Sequence, residues 1–100
     1  MKLGILVNTD KRLEDILGIT KSAISKGHEV IIFCMDEGTK LLGNPSFTGL
    51  CTTKGITMNF CDHSAKGMGV STDGVPKEIG CGSQFDNANM AHEADKVIVL

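Results

Sequence analysis

The side chains of this 100-residue chain best suited to covalent chemistry are its four cysteines, at positions 34, 51, 61 and 81. None forms a Cys-x-x-Cys pair, so neither a dithiol redox motif nor a paired-ligand zinc site announces itself. Cys61 stands apart because Asp62, His63, Ser64 and Lys66 follow it closely. A thiol attacks as its thiolate, which a helix N-terminus or a nearby cation favours. A helix beginning at Asp62 points its positive end at the Cys61 sulfur, and His63 and Lys66 act in the same direction. The Asp62 carboxylate opposes them, so the sequence leaves the sign of the net shift open.

Asp62, His63 and Ser64 are the candidate substrate-binding residues beside that thiol. Cys81, between Gly80 and Gly82, is the second candidate, since a bare flanking backbone leaves its sulfur approachable. In that role it resolves a persulfide or disulfide formed at Cys61. Cys34 trails an apolar run and Cys51 falls on a helix face, so both read as core packing. His28 and His92 read as surface or packing residues. A metal site built from Cys61, Asp62 and His63 with Cys81 or Cys34 lacks regular ligand spacing, and no metal or cofactor is expected. Gly67-Met68-Gly69 and Gly80-Cys81-Gly82 do not follow the first strand and lack the third glycine of a dinucleotide fingerprint.

These residues must be positioned by alternating strands and helices. Leu3–Val7 and Glu29–Met35 are short apolar runs of the kind that parallel strands buried on both faces require. Between them Leu13, Ile16, Leu17, Thr20, Ala23 and Ile24 recur at helical spacing, with Thr9 or Asp10 as the expected cap and Lys26-Gly27 as the stop. A short helical piece through Leu41 and Leu42 ends at Gly43, and Pro45 opens another that runs toward Gly55. Ile56–Phe60 alternates apolar with polar residues, which predicts a third strand with one face less completely covered. Cys61 then stands at its carboxyl end. A glycine-rich stretch from Gly67 to Gly74 reads as a mobile loop. Glu78–Gly82 is a short fourth strand, Ser83 and Asp86 form a capping pair for a last helix to about Ala94, and Lys96–Leu100 is the fifth strand. The order predicts one domain over residues 1–100: a three-layer α/β/α sandwich on a mostly parallel five-stranded sheet. In such a sheet Cys34, Cys61 and Cys81 are expected to converge on one rim, at the strands' carboxyl ends, where ligands bind.

Composition excludes several classes of function. Ten Lys and Arg against twelve Asp and Glu, with four Phe and neither Trp nor Tyr, supply no basic stripe and no stacking platform, so no nucleic-acid partner is expected. The first apolar run is too short for a membrane span or a signal-peptide core. A cytoplasmic protein with reduced thiols and no membrane association is the expectation.

Three segments carry a family likeness: Lys26-Gly27-His28-Glu29-Val30 at the end of the first helix, Gly55-Ile56-Thr57-Met58-Asn59-Phe60-Cys61, and the ending Ala91-His92-Glu93-Ala94-Asp95-Lys96-Val97-Ile98-Val99-Leu100. In these the chain resembles the DsrE/DsrF-like family, which includes the TusD-type sulfur carriers, over nearly its whole length. The resemblance implies a cysteine that carries sulfane sulfur as a persulfide, received from one protein and passed to another. That role falls on Cys61. It also implies sulfur donor and acceptor proteins as partners and a homo-oligomer, a trimer or hexamer. The polar, glycine-rich stretch Asp62–Gly69 departs from the helix that follows the cysteine in many relatives. Two other readings stay open: a non-catalytic oligomeric module binding a small ligand or a protein, and a thiol redox or metal-binding protein using Cys61 with Cys81.

Overall fold

In a computed structural model describing all 100 residues, the strands are β1 (Lys2–Val7), β2 (Glu29–Cys34), β3 (Ile56–Cys61), β4 (Ile79–Gly82) and β5 (Lys96–Val99). All neighbouring pairs are parallel, and the order across the sheet is β4-β3-β2-β1-β5. The helices are α1 (Leu13–Ser25), α2 (Pro45–Thr48), α3 (Asp62–Gly67) and α4 (Gln84–Glu93), and two 3₁₀ segments, Asp36–Gly43 and Gly49–Thr52, flank α2. No helix is long and apolar enough to cross a membrane.

Right-handed crossovers explain the layering. The connections from β1 to β2, β2 to β3 and β3 to β4 all step the same way along the sheet, so each lies on the same face. The connection from β4 to β5 travels back across the sheet and must lie on the opposite face. The packing follows this division. Ile5, Val7, Val30, Ile32, Cys34, Met58, Phe60 and Ile79 meet Ile16 and Ala23 of α1, Leu41, Leu42, Phe47, Leu50 and Ala65 in one large core. On the other face Phe33, Cys61 and Met90 form a small second cluster, with Leu6, Ile31 and Met35 around it.

The second face is therefore thin. Met90 is the one fully buried residue of α4, and its burial contributes about 1.5–3 kcal/mol. Phe85, Val97 and Val99 remain 70%, 41% and 58% exposed. The alternation of β3 has the same origin: Met58 and Phe60 enter the large core, whereas Thr57 is exposed and Asn59 half-buried on the α4 face.

Several local expectations need correction. Neither Thr9 nor Asp10 caps α1, which starts only at Leu13 behind Arg12, with no side-chain cap. The segment opened by Pro45 does not run on to Gly55; it tightens to 3₁₀ after Thr48 and ends at Thr52. Cys51 is consequently half-buried rather than sealed in the core. Asn44 caps α2 by accepting the Ser46 N–H at 2.9 Å, and Pro45 occupies its first turn as expected.

Thr20 of α1 is fully buried, and its hydroxyl has no hydrogen-bond partner. A buried hydroxyl left unpaired costs free energy without return. Thr20→Val, which keeps the branched shape and removes that group, is expected to raise stability by about 1 kcal/mol. Urea denaturation checks this, and an unchanged or lower midpoint contradicts it.

Candidate functional site

At the carboxyl ends of β3 and β4, two adjacent connections leave for opposite faces of the sheet: α3 joins the large core through Ala65, and α4 covers the other face through Met90. Such a divergence opens a crevice in an α/β sheet, and ligands bind there. Cys61 is the last residue of β3 and immediately precedes α3. The first residue of α4, Gln84, follows β4 by one residue, Ser83. The thiol thus sits between the starts of two helices that come from opposite sides.

Cys61 is only 3% exposed, yet its surroundings are polar on the rim side. Burial alone pushes its pKa up. The Ser64 hydroxyl, the Ser64 N–H, the Gln84 carboxamide and the His63 N–H all donate toward the sulfur, and together they bring the pKa below the ordinary thiol value. Hydrogen bonds to the charged form favour it. The question the sequence left open is answered by these uncharged donors.

The other three thiols shift the opposite way. Cys34 is 1% exposed, has burial without donors, and its pKa is pushed up to about 12. Cys51 is raised by loss of hydration and by the charge of Glu78. Cys81 is raised by loss of hydration and then by the Asp62 carboxylate, with Lys66 acting weakly against both. Cys81 is nevertheless exposed.

Cys34, Cys61 and Cys81 all lie at the carboxyl ends of their strands, as expected, but the register puts them on different faces. Cys81 pairs with Phe60, and Cys61 pairs with Gly82. Side chains in register on a sheet share a face and successive ones alternate, so Cys81 lies with Phe60 and Cys34 on the large-core side. Cys61 points to the α4 side with Phe33. A direct Cys61–Cys81 disulfide has the sheet between its two sulfurs. No three His, Cys, Asp or Glu side chains gather as a set able to hold a metal ion.

The candidate binding residues divide between the two faces. Ser64 and the backbone of His63 serve the Cys61 sulfur. Asp62 instead turns to Lys66, 2.9 Å away, and to Cys81, and Lys66 holds its pKa below the usual carboxylate range. A groove of about 290 Å³ beside Cys81 is lined by Phe60, Thr72, Val75 and Pro76 among others. Cys61 lines none of the three cavities.

Both glycines beside Cys81 are demanded by neighbours on the α4 face. A Cβ at Gly80 would collide with the Asn59 carboxamide, and one at Gly82 with the Asp86 carboxylate. That carboxylate accepts the Ser83 N–H at 2.9 Å while the Ser83 hydroxyl accepts the Phe85 N–H at 3.2 Å, which is the expected capping pair. Three site residues carried no sequence signal: Gln84, Met35 and Asn87. Gln84 donates to Met35 Sδ at 3.8 Å and its oxygen accepts from Asn87 at 3.2 Å.

The sequence matches no protein-family model and none of the curated proteins. Its fold is that of solved structures. The YchN protein of E. coli is similar over 100% of both chains, with a TM-score of 0.78 at 17% identity. MTH1491 of Methanobacterium thermoautotrophicum, a protein of unknown function, is similar over 99% of this chain and 98% of its own, with a TM-score of 0.77 at 11% identity. BT1422 of Bacteroides thetaiotaomicron, a conserved protein of unknown function, is similar over 99% of this chain and 94% of its own, with a TM-score of 0.76 at 16% identity.

The four thiols are expected to ionise in a set order, Cys61 first and Cys34 last, when followed by ultraviolet thiolate absorbance in single Cys→Ser variants. Ser64→Ala raises the Cys61 midpoint. Because the folded pKa of Cys61 is depressed, its ionisation stabilises the fold above the unfolded thiol pKa, and this is lost as pH falls through the folded pKa. Ionisation of Cys81 before Cys61 would contradict the assignment.

Proposed function

We propose that the chain is a sulfur-relay protein that carries sulfane sulfur as a persulfide on Cys61 and passes it to an acceptor thiol. One observation carries this reading: of four thiols, only Cys61 has its pKa lowered, and it stands where α3 and α4 leave for opposite faces of the sheet. The Cys61 thiolate attacks the terminal sulfur of a donor persulfide. A new S–S bond forms at Cys61, the donor's S–S bond breaks, and the donor leaves as a thiolate. The second transfer repeats these steps with the acceptor as nucleophile, and no external oxidant or reductant enters. Asp62, His63 and Ser64 belong to this reading as the segment that follows the sulfur, with Ser64 and the His63 backbone lowering its pKa.

The absence of a cavity at Cys61 suits a cargo of one sulfur atom delivered by protein partners better than a bulky small-molecule substrate. The opposed faces of Cys61 and Cys81 weaken the redox alternative, and leave Cys81 without support as a direct resolving thiol. Four unpaired cysteines suit a reducing compartment such as the cytoplasm. The reading also includes a homo-oligomer, a trimer or hexamer, and the exposed Phe85, Val97 and Val99 on the thinly covered face support it.

After incubation with a persulfide donor, intact-mass and peptide analysis is expected to find one added sulfur on Cys61, and none in Cys61→Ser. A wild-type chain that stays unmodified at every cysteine would leave the non-catalytic binding module as the better reading. Sedimentation velocity tests the assembly: a lone monomer across the accessible concentration range removes the oligomer from the proposal.

A further inference from the structure

The connection from α3 to β4 is the longest irregular segment of the chain, and the chemistry at Cys61 makes no use of it. It lies on the large-core face, where Val70 and Val75 pack against that core. Both ends are fixed. The Val70 N–H donates to Ala65 O at 2.8 Å, and Ile79 is buried in β4. Just before Val70 the chain turns at Gly69, whose positive φ of 69° suits glycine. Between these anchors the backbone bonds to itself. The Val75 N–H donates to Thr72 O at 3.2 Å, the Asp73 N–H to the Ser71 hydroxyl at 3.5 Å, and the Ile79 N–H to Pro76 O at 3.0 Å. Apart from that bond to Ile79 at its own end, no hydrogen bond or ion pair joins residues 71–78 to another element.

What holds the segment down is the side chain of Val75. Grooves of about 270 and 290 Å³ run along its two sides. The first lies against Leu42, Pro45 and Thr48, the second against Phe60, Ile79 and Cys81, and Val75 is a wall of both. Sites that bury a small ligand span roughly 300–1,000 Å³. Each groove alone falls short of that range, and the two joined do not. Among all the residues that line them, Lys77 is the only charged one.

We infer that residues 71–78 form a strap latched by Val75, and that lifting it joins the two grooves into one cleft that takes a small, uncharged, largely apolar molecule. A segment held by one side chain, without hydrogen bonds to its surroundings, opens at lower cost than the sheet beneath it. The ligand takes the place of the valine. It covers Leu42, Phe60 and Ile79, the apolar side chains that lifting exposes, and so favours the lifted state. This goes beyond the sulfur chemistry at Cys61 and is independent of it. No covalent step is involved: Cys81 is a wall of the cleft and not a reactant.

The test is cleavage of the full chain by trypsin under native conditions, with the cut sites read by mass. A cut after Lys77 reports the lifted strap, whereas a cut after Lys21, within α1, reports global unfolding. Lys77 is expected to be cut first, at a rate that low urea leaves unchanged. Val75→Ala raises that rate roughly three- to tenfold, the scale of two carbons lost from a partly buried side chain. Ile16→Val, a change in the core away from the strap, raises the Lys21 rate and leaves the Lys77 rate alone. Indole and cyclohexanol, as uncharged probes, raise the wild-type Lys77 rate to a plateau without raising that of Lys21. Cuts at Lys77 and Lys21 that respond alike to both variants would overturn the strap, as would a wild-type Lys77 rate in Val75→Ala. Probes that leave the Lys77 rate unchanged, or lower it, overturn the cleft as a ligand site.

Discussion

The reversal of winding at β4 is the constraint on which the rest of this molecule depends. Three crossovers proceed in one direction and fill one face with a large core. The fourth must return across the sheet, so one ten-residue helix alone covers the second face. That economy has two results. It sends the connections after β3 and β4 to opposite faces on either side of Cys61, and it leaves valines of β5 and Phe85 uncovered. Site and exposed apolar surface have a common topological cause.

Cys34 and Cys61 show how little burial by itself says about a thiol. Both end a strand, and both are almost inaccessible. Cys34 ends β2 on the large-core face among apolar side chains, where only the neutral form is tolerated. Cys61 ends β3 against a helix start, and three donors from α3 and one from α4 offset the cost of desolvation. Ionisation is decided by whether N–H and O–H groups converge, not by depth. Formal charge has almost no part in it: Asp62 and Lys66, the charged residues closest in sequence, neutralise each other on the other side of the sheet.

Much of the architecture was legible because it is written in local periodicity. Apolar runs at Leu3–Val7 and Val30–Cys34, the alternation from Ile56 and the Ser83–Asp86 pair all correspond to elements found. Strand order was not legible, since parallel pairing joins segments whose contacts leave no mark in either one. The same limit hid the faces of the cysteines. A change of one residue in register reverses a side chain, and Cys81 pairs with Phe60 rather than Cys61. Gln84 escaped notice for a related reason: it is an ordinary polar residue at a helix start, and its sulfur partner, Met35, follows β2, 49 residues earlier in the chain. The failure of Thr9 and Asp10 to cap α1 reflects a longer β1–α1 loop than propensity alone indicates.

The central place of β1 in the sheet bears on how the chain acquires its structure. β1 pairs with β2 on one side and with β5 on the other, so Leu3 must find Lys96. Contacts that distant in sequence are slow to form, because a long loop closes before any pairing rewards it. The large core draws on every strand, whereas the second face is closed by Met90 of α4 against Phe33 and Cys61. Until α4 docks, the sulfur at the end of β3 is open to solvent and to oxidants. Maturation of this protein is thus also the concealment of its most acidic thiol.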